Sequence, residues 1–226
     1  MRNKAKMSFF ENLKNAAHKE WVAYTQHEFL RQLAMGTLSK ESFQHYLKQD
    51  YLFLLQFTRA WGLAVYKSQN FADMRYAQAG VNAMLDTEIA LHIDYCREWG
   101  ISEEALLEEP EASACVAYTR YVLDCGLSND LLSLHVALMP CLVGYAESVD
   151  WLLAQPFTVL EGNPYRPWID MYASAEYREV VGYAKEHLEK LATGMTKEQG
   201  QQLNKIFSTA TRMEVAFWDM GLNQLW

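Results

Sequence analysis

Residues 131–153 read LLSLHVALMPCLVGYAESVDWLL, and few folds can house such a stretch. Leu131, Leu134, Leu138, Cys141, Tyr145, Val149 and Leu152 recur every three or four residues, which is one face of a helix. Pro140 interrupts it. A proline inside a helix lacks an N–H and crowds the carbonyl four residues back, here that of Val136, so a kink is expected. The thiol of Cys141 therefore falls at a bend on a buried face. By position alone such a cysteine is a small core hydrophobe. It becomes a candidate nucleophile only if acidic and aromatic partners converge on it.

The remaining pattern is helical almost throughout, with prolines and glycines at the breaks and no strand-like alternation. The spacing predicts helices over Ser8–Met35, from Ser39 to Ser68, and over Ala72–Trp99. A short turn follows at Ser102–Leu107, then Glu111–Cys125 stopped by Gly126. The central stretch starts near Ser128. Pro156, Gly162, Pro164 and Pro167 mark an irregular segment, followed by helices over Ala175–Ala192 and Thr196–Gly221. An all-α architecture with short connections is expected, as one domain over residues 1–226.

Charge and cysteine usage narrow the function classes. A net charge of −8, with no cluster of Lys and Arg, opposes a nucleic-acid surface. Cys96, Cys115, Cys125 and Cys141 show no C-x-x-C spacing and are expected to be reduced, in a cytoplasmic protein. The opening MRNKAKMSFFENL has no apolar core of a secretory signal. No run of about 18 uninterrupted apolar residues suggests a membrane span.

The informative positions are polar residues where the period demands core. Asp50 lies on the stripe Phe43, Leu47, Leu54, Phe57 and Trp61, and Glu214 interrupts Leu203, Phe207, Ala210, Phe217 and Gly221. A buried carboxylate must be paired, hydrogen-bonded or neutral. Each could be a structural ion pair. Equally, a glutamate desolvated among aromatics has a raised pKa, suited to acid–base work near neutrality. Arg212 points away from Glu214. Tyr118, on a stripe with Cys115, Val122 and Cys125, reads as core. One thiol, two carboxylates and tyrosines on inward faces of different helices form a coherent set for covalent chemistry on a flat, electron-poor ring.

A metal centre is the rival. Glu88 and His92 share a helix face, but the pattern is Glu-x-x-x-His and occurs once, whereas di-iron bundles use Glu-x-x-His twice with further glutamates. A helix-surface or intersubunit hydrogen bond suits Glu88 and His92 better. A metal-dependent oxidase and a non-catalytic binding or regulatory protein remain the alternatives to a hydrolase. Stoichiometric iron would mark the first, and a salt-dependent DNA shift the last.

The segments ALMPCLVGY (Ala137–Tyr145), QDYLFL (Gln49–Leu54) and EVAFWDM (Glu214–Met220), with AYTRYVLD (Ala117–Asp124) and WIDMY (Trp168–Tyr172), resemble those of the TenA family, thiaminase II or aminopyrimidine aminohydrolase. The resemblance spans nearly the whole chain and implies a heme-oxygenase-like helical bundle, usually a homotetramer. It implies Cys141 as nucleophile, Glu214 as acid–base and Asp50 as the carboxylate holding the pyrimidine amino group. Tyr118, Tyr145 and Tyr172 correspond to pocket tyrosines and Phe217 to an aromatic wall. Phe53 stands where many members carry tyrosine, which leaves it stacking. The implied substrate is a small pyrimidine, with no metal or organic cofactor, no nucleic acid and no membrane. The Ala154–Trp168 loop is expected to shape the leaving-group side.

Overall fold

In the computed structural model, which describes residues 7–226, the central stretch is the helix α9 (Leu131–Leu153). Asp130 caps it, accepting from the Ser133 N–H at 2.8 Å. Seventeen of its 23 residues are buried, so it is the axis of the core. By length and composition α9 could cross a membrane, but 89% of its most apolar window is buried inside the fold, as in a core helix. The segment read as a non-secretory opening includes residues 1–6, which lie outside the described residues.

Around α9 stand α1 (Phe9–Ala16), α2 (His18–Thr25), α3 (Glu28–Met35), α4 (Lys40–Lys67), α5 (Phe71–Asn82), α6 (Ile89–Glu98), α7 (Glu103–Glu108), α8 (Ser113–Ser128), α10 (Arg166–Ala173), α11 (Ala175–Leu191) and α12 (Lys197–Asn223). A π-helical segment, Ala83–Glu88, joins α5 to α6. No strand occurs among the described residues. α12, α11, α8, α10, α2, α3 and α4 all pack on α9, while α4 also carries α5, α6 and α8. Burying each large side chain, such as Leu138, Phe207 or Phe217, contributes roughly 1.5–3 kcal/mol.

Sequence punctuation explains most boundaries. Ser39 caps α4, Asn70 α5 and Ser174 α11, and Thr196 with Gln199 forms a capping box on α12. Four expectations are corrected. The continuous helix over Ser8–Met35 is three helices: the backbone bends at Ala17 and Gln26, and the His27 ring caps α3 by accepting from Phe29 N–H at 3.1 Å. The bends let Phe10, Trp21, Tyr24 and Phe29 all reach the core. The helix over Ala72–Trp99 contains the π segment. Gly126 does not stop α8, which runs to Ser128; a Cβ there would sit 2.6 Å from Leu63 Cδ2, so this glycine serves close packing. The irregular segment gives way at Arg166 to α10, with Pro167 in its first turn, where proline lacks no needed N–H.

Candidate active site

Cys141 is the only one of the four cysteines that is not fully buried, and all four are free thiols. Its helix continues through Pro140 rather than ending there. Two tyrosine hydroxyls fix the backbone on either side of it. Tyr24 donates to the Pro140 carbonyl at 3.2 Å and Tyr177 to the Leu142 carbonyl at 3.1 Å. Tyr24 comes this close to α9 because residue 144 is glycine: a Cβ there would lie 2.0 Å from the Tyr24 ring.

Cys141 opens onto a cavity of about 450 Å³, within the range of small-molecule sites. Of the eight residues expected at the site, Asp50, Phe53, Cys141, Tyr145 and Tyr172 line it. Glu214, Tyr118 and Phe217 do not; they are buried in the layer behind. Phe53 links the two layers, its ring centroid 5.0 Å from Tyr118 and 5.7 Å from Phe217. Tyr145 and Tyr172 form the facing aromatic wall, 4.8 Å apart.

Burial sets the protonation of the acidic groups. It pushes the Cys141 thiol far above its ordinary value, and the charges of Glu214, Asp50 and Glu88 push it the same way. Glu214 is 2% exposed. Burial pushes its carboxyl up to about 8, against the hydrogen bond donated by the Tyr118 hydroxyl to Oε1 at 2.7 Å. No cation among the described residues pairs with it, and Arg212 turns to the Thr209 hydroxyl. At neutral pH the site therefore holds a thiol and a carboxylic acid, both protonated.

Asp50 is also raised by burial, and the nearby His92 charge and Tyr46 hydroxyl pull it back down. His92 Nε2 lies 2.7 Å from the Leu47 carbonyl, which only accepts, so that nitrogen carries a proton. Nδ1 then faces Asp50 Oδ2 at 3.5 Å. Glu88 and His92 both line the cavity, which places them at the pocket rather than on a plain helix surface. α4 and α6 bring Asp50 and His92 together, and helical periodicity within one segment cannot register a pairing between segments. Among the described residues no three His, Cys, Asp or Glu side chains converge as metal ligands.

Tyr24, Tyr46 and Tyr177 were invisible as site residues, though Tyr24 follows Trp21 at helical spacing. The expected Ala154–Trp168 loop contributes only Pro167 to the cavity lining; the outer wall is the π segment and α6, through Met84, Glu88, Leu91 and Tyr95. The π segment presents Ala83, Met84 and Glu88 to the cavity, and such segments are frequent at functional sites.

The all-helical bundle thus sets a free thiol on the wall of an aromatic-lined cavity, with a buried acid in the layer behind it. The TENA/THI-4/PQQC family model matches residues 15–224, and the chain belongs to that family. It is 46% identical to an uncharacterized protein of Haemophilus influenzae, over 94% of this chain and 98% of the relative. It is 34% identical to an aminopyrimidine aminohydrolase of Halalkalibacterium halodurans, over 96% and 97%. A structure described as a TenA family transcription regulator from Silicibacter sp. TM1040 superposes with a TM-score of 0.88 at 41% identity, covering 95% of this chain and 96% of that one. A domain with a heme oxygenase-like fold from Shewanella denitrificans, 11% identical, shares the fold alone, with a TM-score of 0.76 over 95% and 92%.

Proposed function

We propose that this chain is an aminopyrimidine aminohydrolase of thiamine salvage, hydrolysing 5-aminomethyl-4-amino-2-methylpyrimidine to the 5-hydroxymethylpyrimidine and ammonia. The observation that carries the reading is a thiol on the cavity wall with a buried, uncharged glutamate in the layer behind it. Asp50 accepts the ring amino N–H, and Phe53, Tyr145 and Tyr172 flank the ring. Glu214, behind Tyr118, gives its proton to the ring nitrogen while the Cys141 sulfur adds to the adjacent ring carbon. The thiol proton replaces the one Glu214 gave up, so no net charge builds in the dry site. The amine, carried as its ammonium, leaves as ammonia when the ring electrons break the exocyclic C–N bond. Water adds its hydroxyl to the exocyclic carbon and gives its proton to the ammonia; the C–S bond then breaks, the ring-nitrogen proton returns through Glu214 to the sulfur, and the ring regains its aromaticity.

The ring has to reach Glu214 past Phe53, so the reading requires that side chain to shift on binding. The cavity has room beyond one ring, which supports thiamine as an alternative substrate, releasing the thiazole. A homotetramer belongs to the same reading. Tyr66, at 83% exposure, and Phe71, at 78%, are apolar surface that assembly would cover. Cytoplasmic location is proposed with it. Ammonia release from the aminomethylpyrimidine and cleavage of thiamine, assayed on one preparation, test the activity. Turnover of the first at least as fast as the second is expected; turnover of neither would overturn the reading.

A further inference from the structure

The cavity lining carries acidic side chains that take no part in the proposed reaction steps. Asp50 lies deep, while Glu88, Asp94 and Glu98 line the outer wall. No Lys or Arg is among the described residues lining it. The three outer carboxylates differ in their surroundings. Asp94 pairs with Arg97 at 2.9 Å on the surface, with both side chains about two-thirds exposed. Glu98 is exposed. Glu88 is half-buried, at the end of the π segment, and its carboxylate makes no hydrogen bond or ion pair with a described residue. Glu88 lines the same cavity as Cys141, Tyr172 and Tyr177, and burial and the Asp50 charge raise its carboxyl above the ordinary value.

A half-buried carboxylate without a partner is a cation site in waiting, because an incoming cation restores what desolvation removed. We propose that Glu88 is a specificity-determining residue that selects substrates whose leaving group is cationic. This rests on the aminohydrolase reading. An alkylamine is protonated at neutral pH, whereas the alcohol product of the same skeleton is neutral. Glu88 therefore holds the substrate as its ammonium and loses its attraction once nitrogen has left, which favours product release. The same wall repels anionic derivatives such as phosphate esters. Glu88 acts on the charge of the ground state, so its loss raises KM and leaves kcat nearly unchanged.

The test is calorimetric titration at pH 7 with the aminomethylpyrimidine and the hydroxymethylpyrimidine. It uses the full chain carrying Cys141→Ser, chosen to stop turnover, with and without Glu88→Gln. With Glu88 present the ammonium binds about tenfold tighter than the alcohol, or more. Glu88→Gln brings the two within about twofold of each other while alcohol affinity stays put, which also reports an intact pocket. Asp94→Asn leaves the ratio unchanged. An undiminished preference in Glu88→Gln, or equal affinities with Glu88 present, overturns the assignment of Glu88 alone. Binding of neither ligand overturns the aminohydrolase reading and this inference together.

Discussion

Replacing Glu214 by glutamine is expected to make the protein more stable. The carboxyl stands at about 8 in the fold, against 4.5 in an unperturbed side chain. The folded state therefore holds a proton that the unfolded chain has released. A raised acid contributes its full stability below pH 4.5 and loses it as pH rises toward 8. Each pH unit in that window costs about 1.4 kcal/mol. At pH 7 the ionisation advantage of the unfolded chain is about 3 kcal/mol, and glutamine, which cannot ionise, removes it. The amide keeps a carbonyl to accept from the Tyr118 hydroxyl, so the geometry survives. The assay is urea unfolding of both proteins at pH 5, 6, 7 and 8. The excess stability of Glu214→Gln should be small at pH 5 and climb by about 1 kcal/mol per unit, while turnover collapses. Groups remote from Glu214 titrate alike in both proteins and drop out of the difference. A difference that is flat with pH, or that favours the wild type at pH 8, would refute the idea that burial keeps this carboxyl neutral.

His135 and His187 give the opposite slope. Burial depresses His135 to about 3, and its Nε2 has no described partner. Its contribution is present above about pH 6.5 and is lost as pH falls toward its folded value, so acid unfolding should set in below pH 6 and be weaker in His135→Phe, as circular dichroism against pH would show. Gly144→Ala drives a methyl into the Tyr24 ring, 2.0 Å from Cε1, and should cost about 1–3 kcal/mol in thermal unfolding and lower activity with it.

Most of the fold was legible in the sequence because helical periodicity and capping residues are local. The π segment was not, because it preserves composition and shifts only the register. The breaks at Ala17 and Gln26 were not, because neither is a glycine or proline and the bends serve packing of Trp21 and Tyr24 against distant Phe207 and Trp218. α10 could have been found from Pro167, which opens a helix as readily as it ends one. At the site, the inward placement of Asp50, Cys141 and Glu214 could be read one helix at a time. The division into a cavity wall and a layer behind it could not, since it depends on how Phe53 of α4 packs against α8 and α12. The same holds for the Asp50–His92 pair and the two tyrosine hydroxyls that flank Cys141.

In the proposed reaction everything turns on the Cys141 sulfur. Ammonia release from the aminomethylpyrimidine, measured for the wild type and Cys141→Ser with matched circular dichroism and melting curves, tests it most directly. An intact fold and a loss of kcat on the order of a thousandfold or more are expected. Near-normal turnover in Cys141→Ser would contradict it.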